Sequence, residues 1–307
     1  MDAISSDLSS LSQALVELVG SASAGVVAVK AAAYRTTSGV VLGGNLIAAA
    51  NHAVKRDSGI PLETGSGAQA TANVIGREPG LDLAILRSDD LPLQPLPSRD
   101  PASVKAGDLV SIVGMTTDAG ASASLGIMGA VGGSRRIWRG GTLDHFFRLD
   151  VNLYPSQSGA AVVGADGALI GMATPALLRH SAVAVPLTTL NRVADELVRQ
   201  GRIRRGYVGV GLQPVSIPAS LREKLALNHE GGLIVLSVEP ESPAEKAGWQ
   251  LGDILVAMNG TPMVDVDELQ AVLRGDSVGR RASALLIRGG EKIESEITIE
   301  ERASKER

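Results

Sequence analysis

The chain has 307 residues, a net charge of −4 and no cysteine. At roughly 150 residues per domain this length predicts two domains, each with enough chain to bury a core. The acidic balance argues against a nucleic-acid partner, which needs concentrated Lys and Arg, and the missing cysteines exclude disulfides and thiolate metal sites.

Residues 2–20 carry Ile4, Leu8, Leu11, Leu15 and Leu18 at alternating spacings of four and three, one face of an amphipathic helix. Such a face packs on its own domain or, alternatively, against neighbouring subunits. No apolar run of about 20 residues offers a membrane span, and the Ser-rich start lacks the basic segment of a signal peptide, so a soluble chain without an export signal is expected.

From Val26 the pattern changes to short apolar segments separated by turn residues: Val26–Lys30, Gly39–Leu42, Leu46–Ala50, Gln69–Ile75, Leu83–Leu86, Leu109–Val113, Phe147–Val151, Ala161–Val163, Ala168–Met172 and Ala182–Val185. Many short strands with Gly-rich turns predict an antiparallel sandwich or barrel. Lys55–Gly67 reads as a long polar loop. Leu187–Gln200, with Leu190, Val193, Ala194 and Leu197 on one face and Gly201 as its stop, predicts a closing helix. The basic clusters Arg135-Arg136 with Arg139, and Arg202 with Arg204-Arg205, read as solvated loop and linker.

Three polar residues stand out in this β region. Asp82 sits in the apolar run Leu81–Leu86, where a buried carboxylate needs a partner. His52, one of four histidines, follows the apolar strand Leu46–Ala50 and starts a helical turn. Ser158 lies in the tight bend Tyr154–Ala160, before the strand Ala161–Val163 and the hairpin turn Gly164–Gly167. Taken singly, each also has a structural account, as a strand-start cap, a helix-start polar residue and a turn serine. Taken together they run His, Asp, Ser, the chain order of a chymotrypsin-like triad.

Ala49–Val54, Leu81–Leu86 and Pro155–Gly159 resemble the TNxHVV, TDLAVL and PGNSGG motifs of the HtrA (DegP/DegS-like) serine proteases, and the resemblance extends through Val104–Gly114, Gly126–Arg136 and Ser181–Pro186. It implies Ser158 as nucleophile, His52 as its base, Asp82 as the group orienting the imidazole, and the amides of Ser156 and Ser158 as the oxyanion hole. Asn152 and Leu153 would form the floor of the specificity pocket and Gly171, Met172 and Ala173 its wall. With no carboxylate at the floor, small or medium apolar side chains are expected there. The family has glycine where this chain has Ser156. If the active loop needs positive φ there, serine costs about 1–2 kcal/mol that glycine would not, so a switchable or silent loop is the alternative expectation.

Beyond the basic linker, Tyr207-Val208-Gly209-Val210 resembles the carboxylate-binding loop of an HtrA-type PDZ domain, and the likeness continues through Gly232–Val235, Ser242–Gly248, Leu251–Leu255 and Asn259-Gly260. An extended peptide would add a strand beside residues 210–214, with Leu269, Val272 and Leu273 of the helix Val266–Leu273 at its side-chain pocket.

The expected organisation is therefore an amphipathic helix (1–24), a chymotrypsin-like double β-barrel (25–201), a linker (202–206), an α+β PDZ domain (207–302) and a charged tail (303–307). The expected function is ATP-independent cleavage of unfolded or damaged polypeptides, with peptide C-termini bound at the PDZ groove and no metal or cofactor. The alternative is a proteolytically silent peptide-binding scaffold. The resemblance also implies a trimer and a periplasmic or extracytoplasmic site of action, against a cytoplasmic one suggested by the missing signal sequence.

Overall fold

The computed structural model describes residues 2–32, 35–90, 94–137, 141–201, 206–273 and 277–301. The chain divides into two compact units, Met1–Ile203 and Arg204–Arg307. Arg139, residues 202–205 of the expected linker 202–206 and the tail at 303–307 lie outside the described residues.

The first unit opens with helix α1 (Asp2–Ala22) and continues as β1 (Val26–Ala32), β2 (Arg35–Gly43), β3 (Leu46–Ala50), β4 (Ile60–Thr64), β5 (Gln69–Glu78) and β6 (Leu83–Arg87). These six strands close into an antiparallel barrel of order β1-β2-β3-β6-β5-β4. The stretch expected to be a long polar loop contains β4, without which the barrel would stay open. Ile60 and Leu62 are buried and alternate with exposed Pro61 and half-buried Glu63, the period of a one-sided strand. Pro61 masked this pattern, since a proline argues against a central strand; it is tolerated because β1 pairs only with residues 62–64.

A second closed barrel follows, of order β11-β14-β13-β12-β7-β8. It is built from β7 (Leu109–Thr116), β8 (Gly120–Gly132), β11 (Phe146–Asp150), β12 (Ala161–Gly164), β13 (Leu169–Leu178) and β14 (Ser181–Pro186), with the small ribbon β9 (Arg135–Arg136) and β10 (Thr142–Leu143) between β8 and β11. Alternation explains why these strands are apolar on both faces. Val27, Val29, Ile47 and Leu86 fill the first barrel, Ile112, Phe147, Val162 and Ile170 the second, and the intervening residues Val26, Ala28, Val113, Ala161 and Val163 pack between the two. Helix α2 (Leu187–Gln200) closes the unit with Leu190, Val193, Ala194 and Leu197 buried, and Gly201 stops it at φ 71°, as the sequence predicts.

Helix α1 meets the core only through its C-terminal end, where Leu18, Val19 and Ala22 pack. Leu8 is 63% and Leu11 49% exposed, so the front of the predicted apolar face has no partner within the described unit. Among the described residues, no helix is long and apolar enough to cross a membrane.

The second unit is an antiparallel sheet. Its strands are β16 (Val210–Ser216), β17 (Gly231–Val238), β18 (Ile254–Met258), β20 (Arg281–Arg288) and β21 (Glu291–Thr298), in the order β16-β17-β18-β20-β21. The short β19 (Thr261–Pro262) pairs with β18, and β15 (Gly206–Tyr207) pairs with β22 (Glu300–Glu301). Helices α3 (Ala219–Lys224), α4 (Pro243–Lys246) and α5 (Val266–Val272) complete it, over a core that includes Val208, Leu233, Trp249, Leu255 and Leu286.

Candidate active site

The strand β3 ends at Ala50, and the chain turns at once, with the amides of Ala53 and Val54 donating to the Ala50 carbonyl. Arg77 of β5 fastens this turn, donating to Asn51 Oδ1 at 2.8 Å, to the Val54 carbonyl at 3.0 Å and to Asp57. His52 is thereby carried on a rigid bend with its side chain 41% exposed.

Asp82 stands not within the strand, as the sequence suggests, but one residue before β6. There it caps a 3-10 turn, Pro79–Leu81, in the left-handed conformation with φ 54°. Aspartate tolerates that region better than most residues, and the conformation turns its side chain away from the strand register and towards β3. The carboxylate is 1% exposed and has three donors. Oδ1 accepts the His52 amide at 2.8 Å, and Oδ2 accepts both His52 Nδ1 at 2.8 Å and Thr174 Oγ1 at 2.5 Å. A carboxylate only accepts, so Nδ1 carries the proton and Nε2 is left as the base.

Ser158 follows a 3-10 turn, Pro155–Gln157, and is 3% exposed. The loop it heads packs against the end of β3. Gly159 has φ 82°, and a Cβ there would come within 2.2 Å of the Ser38 carbonyl and 3.2 Å of the Ala50 amide, so only glycine fits. The Ser158 carbonyl accepts the Ser38 amide at 3.0 Å and the Thr37 hydroxyl. Gln157, also buried, accepts the Tyr154 amide at 3.1 Å on Oε1 and donates through Nε2 to Ser124 Oγ at 2.9 Å.

His52 and Asp82 are thus brought into direct contact. Among the described residues, no hydrogen bond joins the Ser158 hydroxyl to His52. The two expected oxyanion donors differ in state: the Ser158 amide donates to the Pro155 carbonyl at 3.4 Å, while the Ser156 amide has no backbone partner among the described residues. Ser156 itself lies within the right-handed turn; in this loop only Gly159 has positive φ.

The residues expected to form the specificity pocket do not all line one cleft. Asn152 and Leu153 line a cleft of about 840 Å³ together with Ile127, Arg148, Asp150 and Pro175. Gly171, Met172 and Ala173 do not line it. Met172 is buried between the barrels, Ala173 inside the second barrel, and Gly171 is pressed against the Val185 carbonyl. On β13 the cleft wall comes from Pro175, beyond Thr174. No carboxylate was expected at the floor, but Asp150 and Arg148 put a charge of each sign into the same cleft as Asn152 and Leu153.

Thr174 and Thr37 are the functional-site residues that sequence reasoning missed. Each is a buried threonine within a strand, the same kind of signal that singled out Asp82, but their partners lie 92 and 121 residues away.

In the second unit, Val208 is buried and its carbonyl accepts the Ala244 amide at 2.9 Å, while the Gly209 carbonyl accepts the Glu239 amide at 2.8 Å. Gly209 has φ 80° and would clash with Ser242 if it carried a Cβ. The amides of Val208 and Gly209 make no backbone bond among the described residues, and β16, which starts at Val210, is an edge strand with α5 beside it. Tyr207 Oη donates to Glu239 at 2.7 Å. Leu269 and Leu273 are largely committed to the core, leaving Val272 the most exposed of the three expected pocket residues.

A family profile described as a trypsin-like peptidase domain matches residues 37–172, and one described as a PDZ domain matches residues 206–299. Among curated proteins, a probable periplasmic serine endoprotease, DegP-like, of Brucella suis is 30% identical over 263 residues, covering 81% of this chain and 49% of that protein. A counterpart of the same description in Pseudomonas putida is 28% identical over 254 residues, covering 81% of this chain and 52% of its own. The chain thus spans about half the length of the curated relatives it matches. Among solved structures, the HtrA-type protease AlgW with a decapeptide superposes with a TM-score of 0.79 at 21% identity, covering 94% of this chain and 99% of that one. The serine endoprotease from Yersinia pestis superposes at 0.76 and 26% identity, covering 93% and 97%.

Proposed function

The chain belongs to the HtrA-type serine proteases, with a trypsin-like peptidase domain followed by one PDZ domain, and on that premise we propose that it is a serine endopeptidase acting on unfolded polypeptide segments. The observation that carries this reading is the His52–Asp82 pair, in which a buried carboxylate with three donors holds one imidazole by Nδ1. A buried carboxylate held this way orients the ring and stabilises it when protonated. Ser158 Oγ attacks the scissile carbonyl, His52 Nε2 takes the proton and returns it to the leaving amine, and water repeats the cycle on the acyl-enzyme. The amides of Ser156 and Ser158 stabilise the oxyanion, a contribution of about 3 to 4 kcal/mol per donor in comparable sites. The cleft beside Asn152 and Leu153 receives the side chain before the cut.

The second reading is that the chain is a silent or switchable scaffold, and one observation favours a switch: the Ser158 amide is turned to the Pro155 carbonyl rather than to an open hole. In the resting loop one oxyanion donor is therefore engaged, and activity requires that this bond be given up. Peptide C-termini bound at the 207–210 loop and β16 are the regulating ligands. The reading includes a homo-oligomer, for which Leu8 and Leu11 on α1 supply an exposed apolar face, and an extracytoplasmic site of action, supported by curated relatives that are named periplasmic.

Labelling with a fluorophosphonate probe and hydrolysis of casein test the assignment. Labelling of the wild type, lost in Ser158→Ala, and casein cleavage reduced at least a thousandfold in both Ser158→Ala and His52→Ala are expected. Wild-type turnover in either variant overturns the triad, and an unlabelled wild type with PDZ ligand present leaves the scaffold reading standing.

A further inference from the structure

Ser38 lies on β2 of the first barrel, fully buried, and its hydroxyl makes two bonds. It donates to the Ser156 carbonyl at 2.7 Å and accepts the amide of Met115, on β7 of the second barrel, at 2.9 Å. Its own backbone amide holds the Ser158 carbonyl, and its carbonyl is the atom against which Gly159 packs. One residue thus touches both barrels and three positions of the nucleophile loop.

Resting on the protease reading, we propose that Ser38 is a positioning residue for the oxyanion hole, acting by pinning the Ser156–Gln157 peptide. The peptides from Tyr154 to Gly159 are unequally held. The Gln157 amide donates to the Tyr154 carbonyl at 2.8 Å, the Gln157 side chain is tied to the Tyr154 amide and Ser124, the Ser158 carbonyl has two donors, and the Gly159 amide donates to the Ala173 carbonyl at 2.9 Å. The Pro155–Ser156 peptide is held only by the long 3.4 Å bond to its carbonyl. That peptide also carries the Ser156 amide. With the Ser156 carbonyl fixed by Ser38, rotation is confined to the one loosely held peptide between two fixed ends, and its N–H has few directions to take. Without the Ser38 hydroxyl the downstream end is freed, and once the Ser158–Pro155 bond is given up nothing confines the turned Pro155–Ser156 peptide to the orientation in which its N–H meets the charge that develops only in the transition state.

Ser38→Ala and Ser38→Cys in the full chain test this. A casein-derived fluorogenic peptide should show kcat lowered about tenfold in Ser38→Ala with KM within about twofold. Affinity for a peptide boronate, which mimics the tetrahedral adduct, should fall by the same factor, and Ser38→Cys, a weak donor of similar size, should recover part of both. A merely structural role would lower thermal stability and leave the kcat-to-KM split and boronate affinity unmoved, which overturns the proposal. Hydrogen exchange over residues 154–160 supplies a readout independent of turnover. Faster exchange there, with β2 and β7 otherwise protected, is expected in Ser38→Ala, and unchanged exchange overturns the proposal. Faster exchange in a chain that hydrolyses nothing in any form upholds the pinning and overturns the protease reading instead. If Ser38→Ala does not fold, Ser38→Cys carries the same comparisons against wild type.

Discussion

At the scale of single residues, the site rests on side chains placed where ordinary rules disfavour them. Asp82 is a buried carboxylate at positive φ, and its three donors offset the cost of removing it from water. Ser156 is the opposite case, comfortable in the right-handed turn it occupies. If the productive loop needs positive φ there, replacing serine by glycine favours that conformer by about 1 kcal/mol, a several-fold gain in active fraction. Ser156→Gly should therefore raise kcat on a fluorogenic peptide several-fold while KM stays put, because an oxyanion donor acts on the transition state. Steady-state kinetics on the two proteins decides it: unchanged or lower kcat in the glycine variant means that the loop already accommodates serine.

At the scale of elements, the second unit offers a strand edge beside a loop in which the amides of Val208 and Gly209 make no backbone bond among the described residues. In β16 the outer side is unpaired within the sheet, and the register with β17 runs from Val210 to Ser216. A peptide added there gains main-chain bonds along the edge, while its carboxylate meets the amides of Val208 and Gly209. The 207–210 loop is shaped by Gly209, where any side chain would strike Ser242. Peptides ending in an apolar residue should bind with a micromolar Kd, and C-terminal amidation should weaken them at least tenfold. Equal isothermal titration curves for free-acid and amidated peptides would rule out the carboxylate loop.

At the scale of the whole molecule, the chain is two units with separate cores, so each has its own stability. In the second unit Arg288 holds Asp253 through two bonds of 2.7 Å, and Nη2 also donates to the Gly248 carbonyl. Burial alone would raise the Asp253 carboxyl, but the Arg288 hydrogen bonds, the Gln250 amide and the guanidinium charge bring it below its ordinary value of 3.8. Arg288→Met leaves a buried carboxylate unpaired and should destabilise the second unit by about 3 kcal/mol at neutral pH. Because the native carboxyl titrates below the unfolded one, the pair's contribution is complete above pH 3.8 and is lost as pH falls through the native value. Urea unfolding followed by hydrogen exchange in β18 and β20 should show the gap between wild type and variant constant near neutral pH and narrowing as pH falls, beginning above 3.8, because burial raises the carboxyl that has lost its guanidinium and it protonates first. A gap independent of pH down to 2 would place the effect in packing rather than charge.

The amino-acid sequence by itself determined most of what is local. Helix α2 and its glycine stop, nearly every barrel strand, the order of His52, Asp82 and Ser158, and the 207–210 loop were all legible, because period, turn chemistry and short motifs are properties of neighbouring residues. Two strands were not. In β4 the signal was interrupted by Pro61, and β8 is so rich in Gly, Ala and Ser that its thirteen residues show little apolar alternation. The tertiary structure alone decided what depends on residues far apart in the chain. It put Thr174 on Asp82 and Ser38 on Ser156, lined the cleft beside Asn152 and Leu153 with Pro175 rather than Gly171–Ala173, and turned the Ser158 amide to the Pro155 carbonyl. The physical reason is the same in each case: in a closed barrel successive side chains point to opposite faces, so one step along β13 separates a residue in the core from one at the site, and no local pattern says which carbonyl a distant hydroxyl will meet.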